Sequence, residues 1–368
     1  VRSVRVLFDA FWWVSGPTAN RTVLRELVLR WRRDHPGDEL IIAVPRREAA
    51  AARAEPAASG LRVVGSRLRP HALSNALELP RLARAVAADV VVVHNYTPAT
   101  GSCPSVVFIH DLVFEDEPSW FSRVERLYFR PMALLARRAT AVATSTSTEA
   151  ARMERLHPEL APVHAIGLAV ATELLAATPV RPPCVEESLP FALSVGRLNA
   201  RKNLVAAVRG ARASGRIRPS TPLLVVGSAE HSGAGTGVPP SIRALVLEGS
   251  VVFAGRVSDG ELRWLYEHAA VTIYCSLDEG FGLPPIEAIA FGSSLVVSDR
   301  PVFHETVPGV AEFADPLDPS AIAAAVDRAW HSRRSGDADR GAGALDGGHC
   351  WSATVGRLRG LCEDAAKR

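Results

Sequence analysis

The run Asp278-Glu279-Gly280-Phe281-Gly282-Leu283-Pro284-Pro285-Ile286-Glu287-Ala288 follows the apolar segment Val271 to Cys275 and leads into a helical pattern. Its parts spell strand, loop and helix start. Pro285 suits a first helical turn, where its missing N–H costs nothing. Gly280 and Gly282 let the backbone approach a ligand closely, and the free N–H groups of the helix start attract anions. Glu279 on the loop and Glu287 in the first helical turns can then face one cleft. Taken singly, Glu287 is explained by the helix dipole and Glu279 by the turn. Two carboxylates bracketing Gly-Phe-Gly-Leu-Pro are a far more specific signal.

The same βα rhythm extends outward in both directions. In the first half, strands are expected at Arg5 to Phe8, Leu40 to Val44, Leu61 to Val64, Val90 to His94, Ser105 to Ile109 and Ala141 to Thr144. Helical periodicity marks Thr22 to Arg33 and Arg123 to Arg138, and Thr146 with Glu149 forms a capping box. The Pro-rich stretch 177–190 reads as a linker. A second series of strands follows at Phe191 to Val195, Leu223 to Val226, Val251 to Ala254, Val271 to Cys275 and Ser294 to Val297. The fold class is therefore α/β, with two Rossmann-like domains at 1–176 and 191–348 and a terminal helix in 349–368. Ligands of such sheets bind beyond the carboxyl ends of the strands.

One such loop reads Ser194-Val195-Gly196-Arg197-Leu198-Asn199-Ala200-Arg201-Lys202-Asn203. Gly196 permits a sharp turn, Arg197 offers a bidentate fork and Lys202 adds a point charge near the next helix start, a set suited to a diphosphate. A solvated basic loop is the plainer explanation, and the position after a central strand favours the functional one.

Composition narrows the class further. Of 368 residues, 48 % are apolar and 22 % charged, which fits a soluble globular chain. Lys plus Arg exceeds Asp plus Glu by 42 to 39, too little to argue for nucleic acid. Five scattered cysteines without a C-x-x-C pair indicate neither a zinc site nor a disulfide framework, so a reducing, cytoplasmic setting is expected. No metal or other cofactor is expected either. Polar residues and prolines interrupt the longest uncharged run, Val90 to His110, so it is no membrane span. The arginines and apolar residues of Arg123 to Arg138 suggest at most weak, salt-sensitive contact with an anionic membrane surface.

Glu279, seven residues, then Glu287, preceded by the Gly196-Arg197 and Lys202-Asn203 pairs, resembles the retaining nucleotide-sugar glycosyltransferases of family four, also called group 1. That resemblance implies the GT-B architecture, two Rossmann-like domains facing across a cleft with the terminal helix crossing back to the first. It implies that Arg197 and Lys202 neutralise the donor diphosphate and that Glu287 holds the ribose hydroxyls. Glu279 would contact the donor sugar, as would His110 in Ile109-His110-Asp111, while the backbone from Gly280 through Phe281 and Gly282 to Leu283 binds sugar and phosphate. Val257 falls where the base pocket lies. Gly16 stands in for the Gly-Gly of the first loop, which reads Ser15-Gly16-Pro17-Thr18 here, and Ile166-Gly167-Leu168-Ala169 replaces an Asn-Gly motif.

The activity this implies is transfer of a hexose from a nucleotide-diphosphate sugar to a glycan, lipid-linked or small-molecule hydroxyl, with retention and without metal. The first loop suggests GDP-mannose or a GDP-deoxyhexose, with UDP- and dTDP-sugars open. The acceptor is expected near Trp12, Trp13, His94, Asn95 and Tyr96, whose aromatic rings can stack on a sugar. An inactive nucleotide-sugar-binding homologue is the alternative. A dinucleotide-dependent dehydrogenase would need G-x-G-x-x-G directly after a strand, and Gly233 to Gly237 does not provide it. A glycosidase would need Glu279 and Glu287 on opposite sides of a bond. Asp337-Ala338-Asp339 occurs in a Gly/Asp-rich loop rather than after a strand, so solvated acids explain it.

Overall fold

The computed structural model describes residues 3–101, 103–186, 189–228, 238–332 and 349–367. The Gly-rich run 233–237 and Asp337-Ala338-Asp339 lie outside the described residues. Contacts divide the chain into two units, Val1–Leu112 with Arg126–Leu168 and Cys350–Arg368, and Val113–Glu125 with Ala169–His349. Residues 113–125 and 169–176, read from sequence as first-domain, therefore group with the second unit.

The first unit holds strands β1 (Arg5–Asp9), β2 (Glu39–Pro45), β3 (Arg62–Ser66), β4 (Val90–His94), β5 (Ser105–Phe108), β6 (Ala141–Thr144) and β7 (Val163–Ala165). They form one parallel sheet in the order β3-β2-β1-β4-β5-β6-β7. Val6 of β1 stands opposite Leu40 on one side and Val90 on the other. Helices on both faces explain why β4, Val-Val-Val-Val-His, is buried at every residue rather than alternating. The order reverses between β1 and β4, which end in Asp9 and His94.

The second unit repeats the plan with β8 (Ala192–Val195), β9 (Leu223–Val226), β10 (Val251–Gly255), β11 (Val271–Tyr274), β12 (Leu295–Ser298) and β13 (Glu312–Ala314). The order is β10-β9-β8-β11-β12-β13, reversing between β8 and β11. Each sheet ends in a three-residue strand, β7 or β13, too short to leave a periodic signal.

The helix Trp351–Ala365 returns to the first unit and packs on the helix Thr18–Asp34. Its anchor is Arg359, whose Nε lies 2.7 Å from Asp38 Oδ2. Asp38 also accepts the Trp31 indole N–H at 2.8 Å and the Val4 amide at 3.0 Å, so the buried carboxylate is satisfied from three sides. Arg123 to Arg138, expected as one helix, is two, Arg123–Phe129 and Pro131–Ala136. Pro131 removes a ladder donor and clashes with the preceding turn, so a new helix starts there. Among the described residues no helix is long and apolar enough to cross a membrane.

Candidate functional site

In the second unit the two loops at the switch point are tied together. After β8, Gly196 donates its amide to Val226 O at 2.9 Å, which fixes the turn to the neighbouring strand. The Asn199 side chain accepts from the Lys202 amide at 3.1 Å and winds Ala200–Lys202 into a short 3₁₀ turn. After β11, the Leu277 amide and the Ser276 hydroxyl both donate to Arg201 O, at 2.8 and 3.0 Å. These bonds bring Lys202 onto Glu279, Nζ to Oε1 at 2.5 Å. Ser276 Oγ (2.5 Å) and Tyr274 OH (3.0 Å) donate to that same oxygen, while Arg201 stands 3.6 Å from Oε2.

Burial alone would raise the Glu279 pKa, but Lys202 and Arg201 outweigh it and hold the carboxyl down at about 2. Lys202 is pushed below its ordinary value by burial, with Arg201 and Arg197 adding to the push and Glu279 opposing it. The structure thus gathers Lys202, Glu279 and Arg201, with Arg197 near enough to act on the lysine. Tyr274, Ser276 and Arg201 were not singled out from the sequence. Only the register of β8 against β11 reveals that they converge.

Gly282 opens the helix Leu283–Ala290 in the left-handed region, at φ +86°, and a Cβ there would stand 2.7 Å from Phe303 Cε1. Next to it, Gly280 and Phe281 are buried, and Phe281 meets the His349 ring edge-on at 5.4 Å. Val257, half-buried, lies just before Ser258, the cap of helix Asp259–His268. That helix carries Tyr266, whose hydroxyl donates to Glu287 Oε2 at 2.9 Å. Burial pushes the Glu287 carboxyl up to about 7, the Tyr266 bond only partly opposing it.

A carboxyl whose native pKa lies above its unfolded value near 4.5 stabilises the fold below that value and loses this contribution as pH rises through about 7. Denaturant midpoints should therefore fall between pH 5 and 8 by more in the wild type than in Glu287→Gln. Equal slopes would show that Glu287 does not carry the effect.

In the first unit, Asp9 ends β1 and His94 ends β4. Asp9 Oδ2 accepts from His71 Nε2 at 2.7 Å, Asn75 Nδ2 at 2.7 Å and the His94 amide at 3.2 Å, and Oδ1 takes the Phe11 amide at 3.1 Å. Burial would raise this carboxyl, yet His71 and the other donors bring it down to about 2. Burial also drives His94 down to about 4. The sequence reading missed Asp9, His71 and Asn75, the first of which lies 62 and 66 residues from the other two in the chain.

The expected acceptor residues are rearranged by this packing. Trp13 is wholly buried, with the Arg25 guanidinium 5.4 Å from its ring, and Tyr96 is wholly buried with its hydroxyl donating to Tyr128 O at 2.8 Å. Rings without exposed faces cannot stack on a sugar, so both are core residues here. His94 and Asn95 are buried too, whereas Trp12 is partly exposed and lies over Gly16. His110 follows β5, its ring 5.8 Å from that of His94 and 4.9 Å from Phe108. Its loop is held by Thr144 Oγ1 on Ile109 O (2.9 Å) and by the Leu112 amide on buried Glu149 (2.8 Å).

Two family models match the chain, "Glycosyl transferases group 1" over residues 183–340 and "Glycosyltransferase Family 4" over residues 21–174. Among curated proteins it is similar to the O-antigen chain mannosyltransferase RfbU of Salmonella typhimurium. Identity there is 44 % over 88 residues, 24 % of this chain and 23 % of the relative. It is also similar to O-antigen chain mannosyltransferase B of Escherichia coli, at 40 % over 77 residues, 21 % of this chain and 20 % of the relative. Each match thus spans a quarter or less of the relative's length. Among solved structures, sucrose-phosphate synthase from Thermosynechococcus elongatus superposes with a TM-score of 0.71 at 17 % identity, covering 99 % of both chains, a likeness of fold.

Proposed function

From the premise that the chain belongs to the group 1 glycosyltransferases and has their GT-B fold, we propose that it transfers mannose from GDP-mannose to a sugar hydroxyl of a growing polysaccharide, with retention of configuration and without a metal. The observation that carries this reading is the Lys202–Glu279 pair at the β8/β11 switch point, with Arg201 and Arg197 beside it. Two cations, Lys202 and Arg201, face the one carboxylate, and Arg197 acts on Lys202, a surplus of basic groups that suits a diphosphate. Both curated relatives are named as mannosyltransferases, which supports the choice of sugar.

In this mechanism the acceptor oxygen bonds to the anomeric carbon as the bond to the leaving diphosphate breaks, and the acceptor proton passes to a diphosphate oxygen on the same face. Charge on the leaving group grows along that path. Arg197 and Lys202 stabilise it, and they do so most where the charge is greatest. Glu279 holds Lys202 in place beforehand and offers an acceptor to the hydroxyls of the sugar.

Thermal shift and nucleotide release measured with GDP-, UDP- and dTDP-sugars test the reading, with the anomeric configuration of the product determined by NMR. GDP-mannose is expected to stabilise the protein most and to give an α-linked product, with full activity in EDTA. Preference for another nucleotide overturns the donor assignment. Activity lost in EDTA and restored by Mn²⁺ overturns the metal-independent mechanism, and binding of no sugar nucleotide overturns the function.

A further inference from the structure

We propose that the open edge of β7 in the first unit is an interaction surface for a second copy of this chain, the two copies joined by antiparallel pairing of β7 with β7 about a two-fold axis. The proposal goes beyond the functional reading above and does not rest on it.

β7 ends the first sheet and pairs with β6, Val163 standing opposite Val142 and Ala165 opposite Thr144. Successive residues of a strand turn their N–H and C=O groups to opposite sides, so Val163 and Ala165 face the same way. That way is outward, because the Val163 amide donates to Glu154 Oε1 at 2.8 Å. At the far end Arg357 Nη1 donates to Ile166 O at 3.0 Å. Between these two caps the N–H and C=O of Ala165 make no hydrogen bond on the outer side among the described residues. An antiparallel strand can exchange two bonds with such a residue, and an unguarded edge is a template for pairing with another chain.

The edge lies in a groove of about 600 Å³, walled by the helix Ser147–Leu156 on one side and the helix Trp351–Ala365 on the other. Small residues line both walls, Ala150 and Ala151 on the first, Gly356 and Gly360 on the second. A Cβ at either glycine would meet nothing within 4 Å, so there is room for a strand at the spacing of about 4.8 Å that pairing needs.

Charge chooses the occupant. Glu154 marks the Val163 end and Arg357 the Ile166 end, and neither takes part in an ion pair among the described residues. An incoming strand must therefore bring a base to the first and an acid to the second. A second β7 running antiparallel and centred on Ala165 does this, setting Arg357 of each copy beside Glu154 of the other. A parallel copy would set like charges together, which is unfavourable.

Sedimentation velocity on the full chain is the test, with the folding of each variant checked by circular dichroism. The wild type is expected to show a concentration-dependent dimer. Arg357→Glu alone sets acid against Glu154, and Glu154→Lys alone sets base against Arg357, so each should dimerise about tenfold more weakly. Mixed in equal amounts the two variants should pair again, because one contact is then native and the other reversed. A monomer at every concentration leaves the groove to some other chain and overturns the proposal. A dimer indifferent to either single variant, or one that mixing does not restore, overturns it as well. Should either charge variant fail to fold, Ala165→Pro decides, since it removes the outward N–H at an edge position where proline is tolerated, and an unchanged dimer would then refute the pairing.

Discussion

Lys202→Ala is expected to lower turnover about 100- to 1,000-fold, with Arg197→Ala in the same range. On the proposed reaction, each removes charge from the place where the leaving diphosphate would become most negative. Lys202 has a second task, because its ammonium balances Glu279, whose side chain is only 7 % exposed. Breaking a buried pair from one side costs about 3–5 kcal/mol. The low end applies here, since Arg201, Tyr274 and Ser276 still face the carboxylate. Stability and turnover therefore need separating. In Lys202→Ala/Glu279→Ala the stranded charge is gone, so urea midpoints should recover towards wild type while turnover stays low. Recovery of turnover together with stability would reduce Lys202 to a structural role, and near-normal turnover in both single variants would remove the diphosphate site.

That pair also marks how far the sequence could be read. Glu279 and Lys202 were both legible, each from its own loop, because local chemistry marks them: a glycine-rich turn before a helix in one case, a basic turn after a strand in the other. Their contact was not legible. The sequence reading gave Lys202 to phosphate and Glu279 to sugar, whereas the two atoms stand 2.5 Å apart across 77 residues of chain. Asp9 shows the same limit more sharply. Within Leu7-Phe8-Asp9-Ala10 it reads as the end of a strand, and only the crossover order of the sheet brings His71, Asn75 and His94 to it.

Aromatic residues mislead for the converse reason. Trp12 and Trp13 are adjacent and chemically alike, and nothing local says which one faces inward. The turn after β1 sends Trp13 into the core and leaves Trp12 at the surface. The positions of the long strands were recoverable because β-branched runs buried on both faces have few other places to go. The three-residue β7 and β13 owe their existence to a neighbouring strand and not to their own composition.

Gly227 is the residue where this distinction predicts the largest structural effect. It follows β9 at φ +140°, and a Cβ built on it would stand 1.8 Å from the carbonyl oxygen of Gly196. The obstacle is backbone, so no rotamer change relieves it. The two loops are also bonded through Gly196 N–H on Val226 O (2.9 Å) and Leu198 N–H on Ser228 O (3.2 Å), which bars them from drifting apart cheaply. Gly227→Ala must therefore break those bonds or carry the strain, an expected loss of about 3–5 kcal/mol from backbone conformation and overpacking together. Because the displaced loop begins with Gly196 and Arg197, affinity for the donor nucleotide should fall with stability. Gly249→Ala is the control. Its φ of +83° carries a similar conformational penalty, but nothing lies within 4 Å of the added Cβ, so the loss should be about 1–2 kcal/mol with donor binding intact. Thermal unfolding and nucleotide titration on the two variants would separate the contributions. Equal destabilisation of both would mean that the close approach of β8 and β9 loops does not constrain Gly227, and that the turn presenting Arg197 is set by its own residues alone.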